Sequence, residues 1–265
     1  MALHVHRWGD AGGPPLVCLH GVMSTGYRFA KLARERLGRF RVLAPDLRGH
    51  GDSPADPPWR IETFVADVLE VADEAGVTGA PWIGHSFGGR LILELAAIRP
   101  ELASRVVLLD PAIQLEPGDA LERAEADRAD ASYEDLAEAL AGAQGDYPLA
   151  PRDLLAEELP HLLGEGEDGR LRPRYLKSAV IAAFGEMAAE PPAFETLTVP
   201  VLLVVCERES VVRPEQVERM QATLGARLQV VTVPGGHSVL REAFDETADA
   251  VAAFLQDAGA EGAGG

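Results

Sequence analysis

The amino-acid sequence predicts an α/β protein with a mostly parallel, twisted sheet, helices on both faces and a helical insertion over one end. Three observations carry this expectation. Apolar runs of strand length alternate with stretches whose apolar residues recur at three-to-four spacing, the helical period. Strand following helix following strand demands crossovers, and crossovers build parallel sheets covered on both sides. The runs are also apolar almost throughout, as strands buried on both faces are.

Taken in order, the strand runs are PPLVCLH (14–20), FRVLAPD (40–46), APWIGHS (80–86), SRVVLLD (104–110), VPVLLVVCE (199–207) and RLQVVTVPG (227–235). An edge strand near the amino terminus would alternate His4 and His6 toward solvent. Between the runs lie YRFAKLARERL, IETFVADVLEVADEAG, GGRLILELAAIRP, PEQVERMQATLG and REAFDETADAVAAFLQD, all amphipathic at helical spacing. Residues 112–195 break the rhythm, with YEDLAEALAGA, PRDLLAEELPHLL and RYLKSAVIAAFGEMAAE but no convincing strand. The expected division is a core of 1–111 and 196–257, a helical cap or lid of 112–195 and a disordered tail of 258–265, AGAEGAGG.

With 24 basic and 42 acidic residues the chain carries a formal charge of −18, and residues 111–170 hold 16 acids against 4 bases. A surface of that sign repels phosphate backbones and anionic lipid, so neither nucleic acid nor a membrane is an expected partner. Cys18 and Cys206 each sit in an interior strand run and are expected to be reduced and inert, with no metal-ligating pair. MALHVHRWGDAGG lacks the basic start and apolar stretch of a signal peptide, and no run reaches the length of a membrane span, so a cytoplasmic location is expected.

The stretch WIGHSFGGR, 82–90, carries the chemistry. A strand ends and a helix begins within it, which puts Ser86 at the carboxyl edge of the sheet, where ligands of open parallel sheets bind. Glycines at 84 and 88 allow the sharp reversal that holds the serine out at the tip, beside the positive end of a helix. His20-Gly21 closes another strand, so the Val22 amide can sit beside Ser86 and, with the Phe87 amide, form a two-donor oxyanion pocket. His237 lies on the glycine-rich PGGHSVL loop at the same edge.

In HGVMST, APDLRGHGDS, GHSFGG and GGHSVL, taken in this order, the chain resembles the α/β-hydrolase superfamily in its serine-nucleophile, carboxylesterase-like branch. The resemblance implies the α/β-hydrolase fold with Ser86 as nucleophile, His237 as base and an acid between them in the chain. That acid usually follows the strand before the histidine loop; here the stretch reads CERESVV, with Cys206 at a glycine position and Glu209 at the acid position. Glu209 is therefore the preferred acid, with Asp110, at the end of SRVVLLD, as the alternative and Glu207 as a third candidate. A serine rather than an aspartate at 86 sets the chain apart from the epoxide hydrolases and haloalkane dehalogenases of this fold.

The resemblance further implies a small-molecule, ester-like substrate attacked through an acyl-enzyme, with carbon-carbon bond hydrolases, lactonases, thioesterases and perhydrolases as alternatives on the same side chains. A non-catalytic ligand receptor is the alternative of a different class. No cofactor and no metal are implied, and no Gly-x-Gly-x-x-Gly turn follows the first strand. Asp46, Arg48, His50 and Asp52 read as a hydrogen-bonded turn rather than a metal cluster. His85 is expected to pack rather than to react, Met23 and Phe87 to line the acyl pocket, and Tyr133, Tyr147, Tyr175 and Phe184 to line it from the cap. Trp8 and Trp59 receive no role.

Overall fold

A computed structural model describes residues 2–128 and 131–256; the tail expected at 258–265 lies outside them. In chain order the strands are β1 (Val5–Gly9), β2 (Pro15–Leu19), β3 (Arg41–Pro45), β4 (Ala80–His85), β5 (Ala103–Leu109), β6 (Leu163–Glu165), β7 (Leu171–Pro173), β8 (Val201–Cys206) and β9 (Leu228–Val233). The helices are α1 (Ala30–Arg36), α2 (Ile61–Glu74), α3 (Phe87–Ile98), α4 (Pro117–Ala126), α5 (Leu136–Asp146), α6 (Arg152–Leu162), α7 (Lys177–Ala188), α8 (Pro214–Leu224), α9 (Val239–Glu242) and α10 (Phe244–Gln256).

Seven strands form one sheet in the order β1-β3-β2-β4-β5-β8-β9. Only β1 runs antiparallel, against β3, and every other pairing is parallel. Separate buried clusters cover the two faces. Phe64, Trp82, Phe87 and Leu91 belong to one, and Phe29, Ile83, Val107 and Phe254 to the other. Trp82 and Ile83 are neighbours on β4 and face opposite ways, which is the period of two at work.

Between β5 and β8 the chain leaves the sheet to form helices α4–α7. The short hairpin β6–β7 is the departure from the expected all-helical insertion. Its three-residue strands are too brief to register as alternation in a hydrophobicity pattern. Arg90, on α3, clamps the insertion's two ends: its Nη1 donates to the carbonyls of Ile113 and Ala189 at 3.0 and 2.9 Å, and its Nη2 to that of Glu190 at 3.0 Å.

The Asp46–Asp52 segment is a hydrogen-bonded turn, as its composition suggests. Asp46 accepts from the amides of Gly26 and Asp52 and from His6. Arg48 grips Asp67 of α2 with two bonds of 2.7 and 2.6 Å, and Asp52 pairs with Arg174 of the insertion. His4, His6 and Asp46 stand close enough to share an ion, but protein donors already occupy both Asp46 oxygens. His6 corrects an expectation: rather than facing solvent it is half-buried, stacked on Trp8 and bonded to Asp46. His4 is exposed. No helix among the described residues is long and apolar enough to cross a membrane.

Candidate active site

Ser86 sits at the junction of β4 and α3 with φ 53° and ψ −116°, a left-handed conformation that costs energy in any residue with a side chain. Its surroundings enforce the turn. The Ser86 amide donates to Leu109 at the end of β5, and its carbonyl accepts from the amides of Gly89, Arg90 and Ala112. The flanking glycines are required by space: a Cβ on Gly84 would lie 2.6 Å from the Gly88 backbone, and one on Gly88 would lie 2.0 Å from the Leu19 carbonyl oxygen. A Cβ on Gly21 would come within 2.9 Å of the Ser86 Cβ. Glycine there lets the loop after β2 lie directly against the serine.

That loop is held from behind by His20. The Leu47 amide donates to His20 Nε2 at 2.8 Å, so the proton of the neutral ring is on Nδ1, which donates to the Gly21 carbonyl at 2.6 Å. Burial, reinforced by His50, pushes the His20 pKa down to about 3, so the ring stays neutral. The Gly21 carbonyl and the Val22 N–H share one trans peptide plane and point opposite ways. Fixing the carbonyl toward His20 turns the amide away from it. Phe87 is the first residue of α3, and an amide in that position has no partner within its helix.

The carboxylate bonded to His237 is that of Asp110, not that of Glu209. His237 Nδ1 lies 2.6 Å from Asp110 Oδ2. Asp110 is fully buried, and it also accepts hydrogen bonds from Ser210 Oγ and the Val211 amide. Burial alone would raise its carboxyl; the bonds from His237, Ser210 and Val211 outweigh that and hold it below the ordinary carboxylate range. Glu209 has φ 54° and is exposed, as is Glu207. Neither bonds to His237. The physical reason is the order of the sheet. β5 and β8 are neighbours, so their carboxyl ends open beside one another, and the loop from β8 places Ser210 and Val211, rather than Glu209, toward the site.

His85 does more than pack. Its Nε2 lies 2.9 Å from the His237 carbonyl, which can only accept, so the ring donates there and braces the histidine loop. Burial first, and then the nearby His237, push its pKa down to about 3. Cys206, at the end of β8, donates from Sγ to the Arg208 carbonyl, and burial pushes its pKa up to about 12. Cys18 is sealed and raised by the same cause.

Ser86 and His237 open into one cavity of about 270 Å³. Its walls include Val22 and Met23 from the core and Tyr133, Tyr147, Tyr175 and Phe184 from the insertion, the four residues expected there. Phe87 is absent from the lining, contrary to expectation: helix periodicity turns its ring into the core, edge-on to Phe64 at 5.1 Å. Trp8 and Trp59 are also outside it. Sequence reasoning used the His20-Gly21 pair only to end a strand and missed the bracing role of the His20 ring. It missed entirely two buried arginines of the lining, Arg28 and Arg241, which leave no local signal.

The sheet and its connections agree with the comparisons to known proteins. The alpha/beta hydrolase family profile matches residues 16–251. The chain is 32% identical to Lipase LipV of Mycobacterium tuberculosis, over 89% of this chain and 91% of the lipase. It is 30% identical to 2-(acetamidomethylene)succinate hydrolase of Mesorhizobium japonicum, over 96% of this chain and 92% of that one. The crystal structure of E-2-(acetamidomethylene)succinate hydrolase superimposes with a TM-score of 0.86 at 28% identity, covering 96% of this chain and 95% of the other. Matched along nearly its whole length in both sequence and fold, the chain belongs to the alpha/beta hydrolase family.

Proposed function

We propose that the protein is a serine hydrolase that cleaves a small or medium carboxylic ester through an acyl-enzyme, with Ser86 as nucleophile, His237 as general base and Asp110 as the acid. The observation that carries this reading is the 2.6 Å bond from His237 to a sealed carboxylate, at the wall of a cavity that also receives Ser86. With Nδ1–H committed to Asp110, the other ring nitrogen is the free base. It takes the Ser86 proton as Oγ attacks the acyl carbon. The Val22 and Phe87 amides receive the oxyanion, each donor worth ~3 kcal/mol in comparable sites. His237 then returns the proton to the leaving alcohol, and water releases the acyl group by the same steps in reverse.

The two full-length relatives bear names for different substrates, a lipase and a 2-(acetamidomethylene)succinate hydrolase, so neither substrate is transferred to this chain. An ester is favoured because its cleavage needs nothing beyond these three side chains and two amides. A fluorophosphonate probe tests the reading. Stoichiometric labelling of Ser86, abolished in Ser86→Ala, is expected. An unlabelled wild-type protein would leave the ligand-receptor reading in its place. A panel of p-nitrophenyl esters graded by acyl length then ranks substrates.

A further inference from the structure

One wall of the cavity carries more positive charge than a structural role requires. Arg28 lies in the 3-10 turn Gly26–Phe29, shortly after Val22, and Arg241 lies on α9, shortly after His237. Both reach the same atom: Arg28 Nη1 and Arg241 Nε each lie 2.7 Å from Glu158 Oε2, a residue of α6 in the insertion. All three are buried, with Arg28 8%, Arg241 4% and Glu158 5% exposed. One carboxylate therefore serves two guanidiniums.

A single arginine would suffice to hold α6 against the core, and a second leaves a surplus charge out of water, which is costly unless something anionic meets it. The surplus is not absorbed elsewhere in the wall. Arg241 lies over the face of the Tyr147 ring, 4.3 Å from its centroid, which supplies no counter-ion, and Arg28 Nε makes only a long contact of 3.4 Å with Ser24 Oγ. Asp146 and Arg123, both exposed, also border the cavity and offset one another in sign. Asp110 is already committed to His237. Among the described residues, Arg28 Nη2 and both terminal nitrogens of Arg241 have no hydrogen-bond partner, and none is a sealed atom. These donors are open to a ligand in the cavity that both side chains line.

We infer that Arg28 and Arg241 form an anion subsite beside the nucleophile, and that the substrate is an acyl compound bearing a second, free carboxylate that is held there. The inference rests on the proposed role of Ser86 for its catalytic meaning, though not for binding. A planar guanidinium fork matches a carboxylate with two parallel bonds, which gives orientation as well as affinity. Arg28 and Arg241 line the same cavity as Ser86 and His237, which places the subsite within reach of the reacting centre. Burial, and next the like charge of Arg241, lower the Arg28 pKa to about 10, which leaves it charged at neutral pH.

Calorimetry with glutarate as the probe tests the subsite independently of turnover. Wild-type protein is expected to bind glutarate but not its dimethyl ester, and Arg241→Gln to weaken binding about tenfold or more. Absence of glutarate binding to the wild type would overturn the inference, even with Ser86 labelled normally by fluorophosphonate. Glutarate binding with Ser86 unlabelled would instead keep the subsite and remove the hydrolase reading. If Arg241→Gln fails to fold, matched esters in the wild type decide: mono-p-nitrophenyl glutarate against p-nitrophenyl valerate for a carboxylate on the acyl side, and p-carboxyphenyl butyrate against phenyl butyrate for one on the leaving side. A preference of about tenfold for one charged ester, expressed in KM, is expected. Equal or better use of the neutral ester in both pairs would reduce the arginines to a brace for α6.

Discussion

His20 accepts the Leu47 amide at Nε2 and donates from Nδ1 to the Gly21 carbonyl, so one imidazole ties together the two loops that follow β2 and β3. The orientation of the Val22 N–H depends on that bond, because it shares a rigid plane with the carbonyl. Replacing His20 by Phe keeps the bulk and removes both bonds. We expect kcat on a p-nitrophenyl ester to fall about tenfold to a hundredfold, less than outright loss of an oxyanion donor, with KM little changed. An unaltered kcat would mean that Val22 is oriented by other contacts.

The acid is tested by comparing two substitutions. Asp110→Asn should lower kcat by about 10⁴, because an amide cannot stabilise the imidazolium and favours the wrong ring tautomer. Glu209→Gln, at an exposed position without a bond to His237, should change kcat by less than about twofold. Steady-state kinetics with folding checked by circular dichroism would read both, and the reverse ranking would restore Glu209.

Acid should destabilise the fold through histidines rather than carboxylates at first. His20 and His85 are held down to about 3 and His50 to about 4, against an ordinary 6.5, chiefly by burial. Below about pH 6.5 the unfolded chain binds protons that the folded one refuses, so stability is complete above that value and falls as the pH drops toward 4. Unfolding by urea at a series of pH values is expected to take up about three protons from these residues near pH 5. His50→Gln should flatten the slope by one of them.

Arg90 joins α3 to both ends of the insertion through three carbonyls. Arg90→Met keeps the length of the side chain and leaves those acceptors unpaired, at a cost of about 1–3 kcal/mol for each that stays buried. A lowered Tm and faster amide exchange in α7 are expected. Exchange raised evenly across the sheet would argue against a local clamp.

How far the sequence could be read depended on the kind of signal each feature leaves. The strand runs and Ser86 were legible because buried parallel strands are apolar throughout and an elbow needs small residues at fixed positions. The acid was not legible. Asp110 and Glu209 both follow strands whose ends are adjacent in the sheet, and both have positive φ, 40° and 54°. What separates them is the path of the loop after β8, which turns Ser210 and Val211 onto Asp110 and leaves Glu209 in water. The hairpin β6–β7 was too short for periodicity to detect. Arg28, Glu158 and Arg241 meet from three distant segments, and no local pattern announces such a meeting.

The two thiols bear on how the protein can be handled. Sealed in the interior and held protonated far above neutral pH, neither Cys18 nor Cys206 presents a thiolate to an alkylating reagent or an oxidant. Maleimides and iodoacetamide should pass the native protein by, and storage without reductant should be harmless, so covalent labelling by an electrophile that also reacts with hydroxyls can be ascribed to the proposed nucleophile, Ser86.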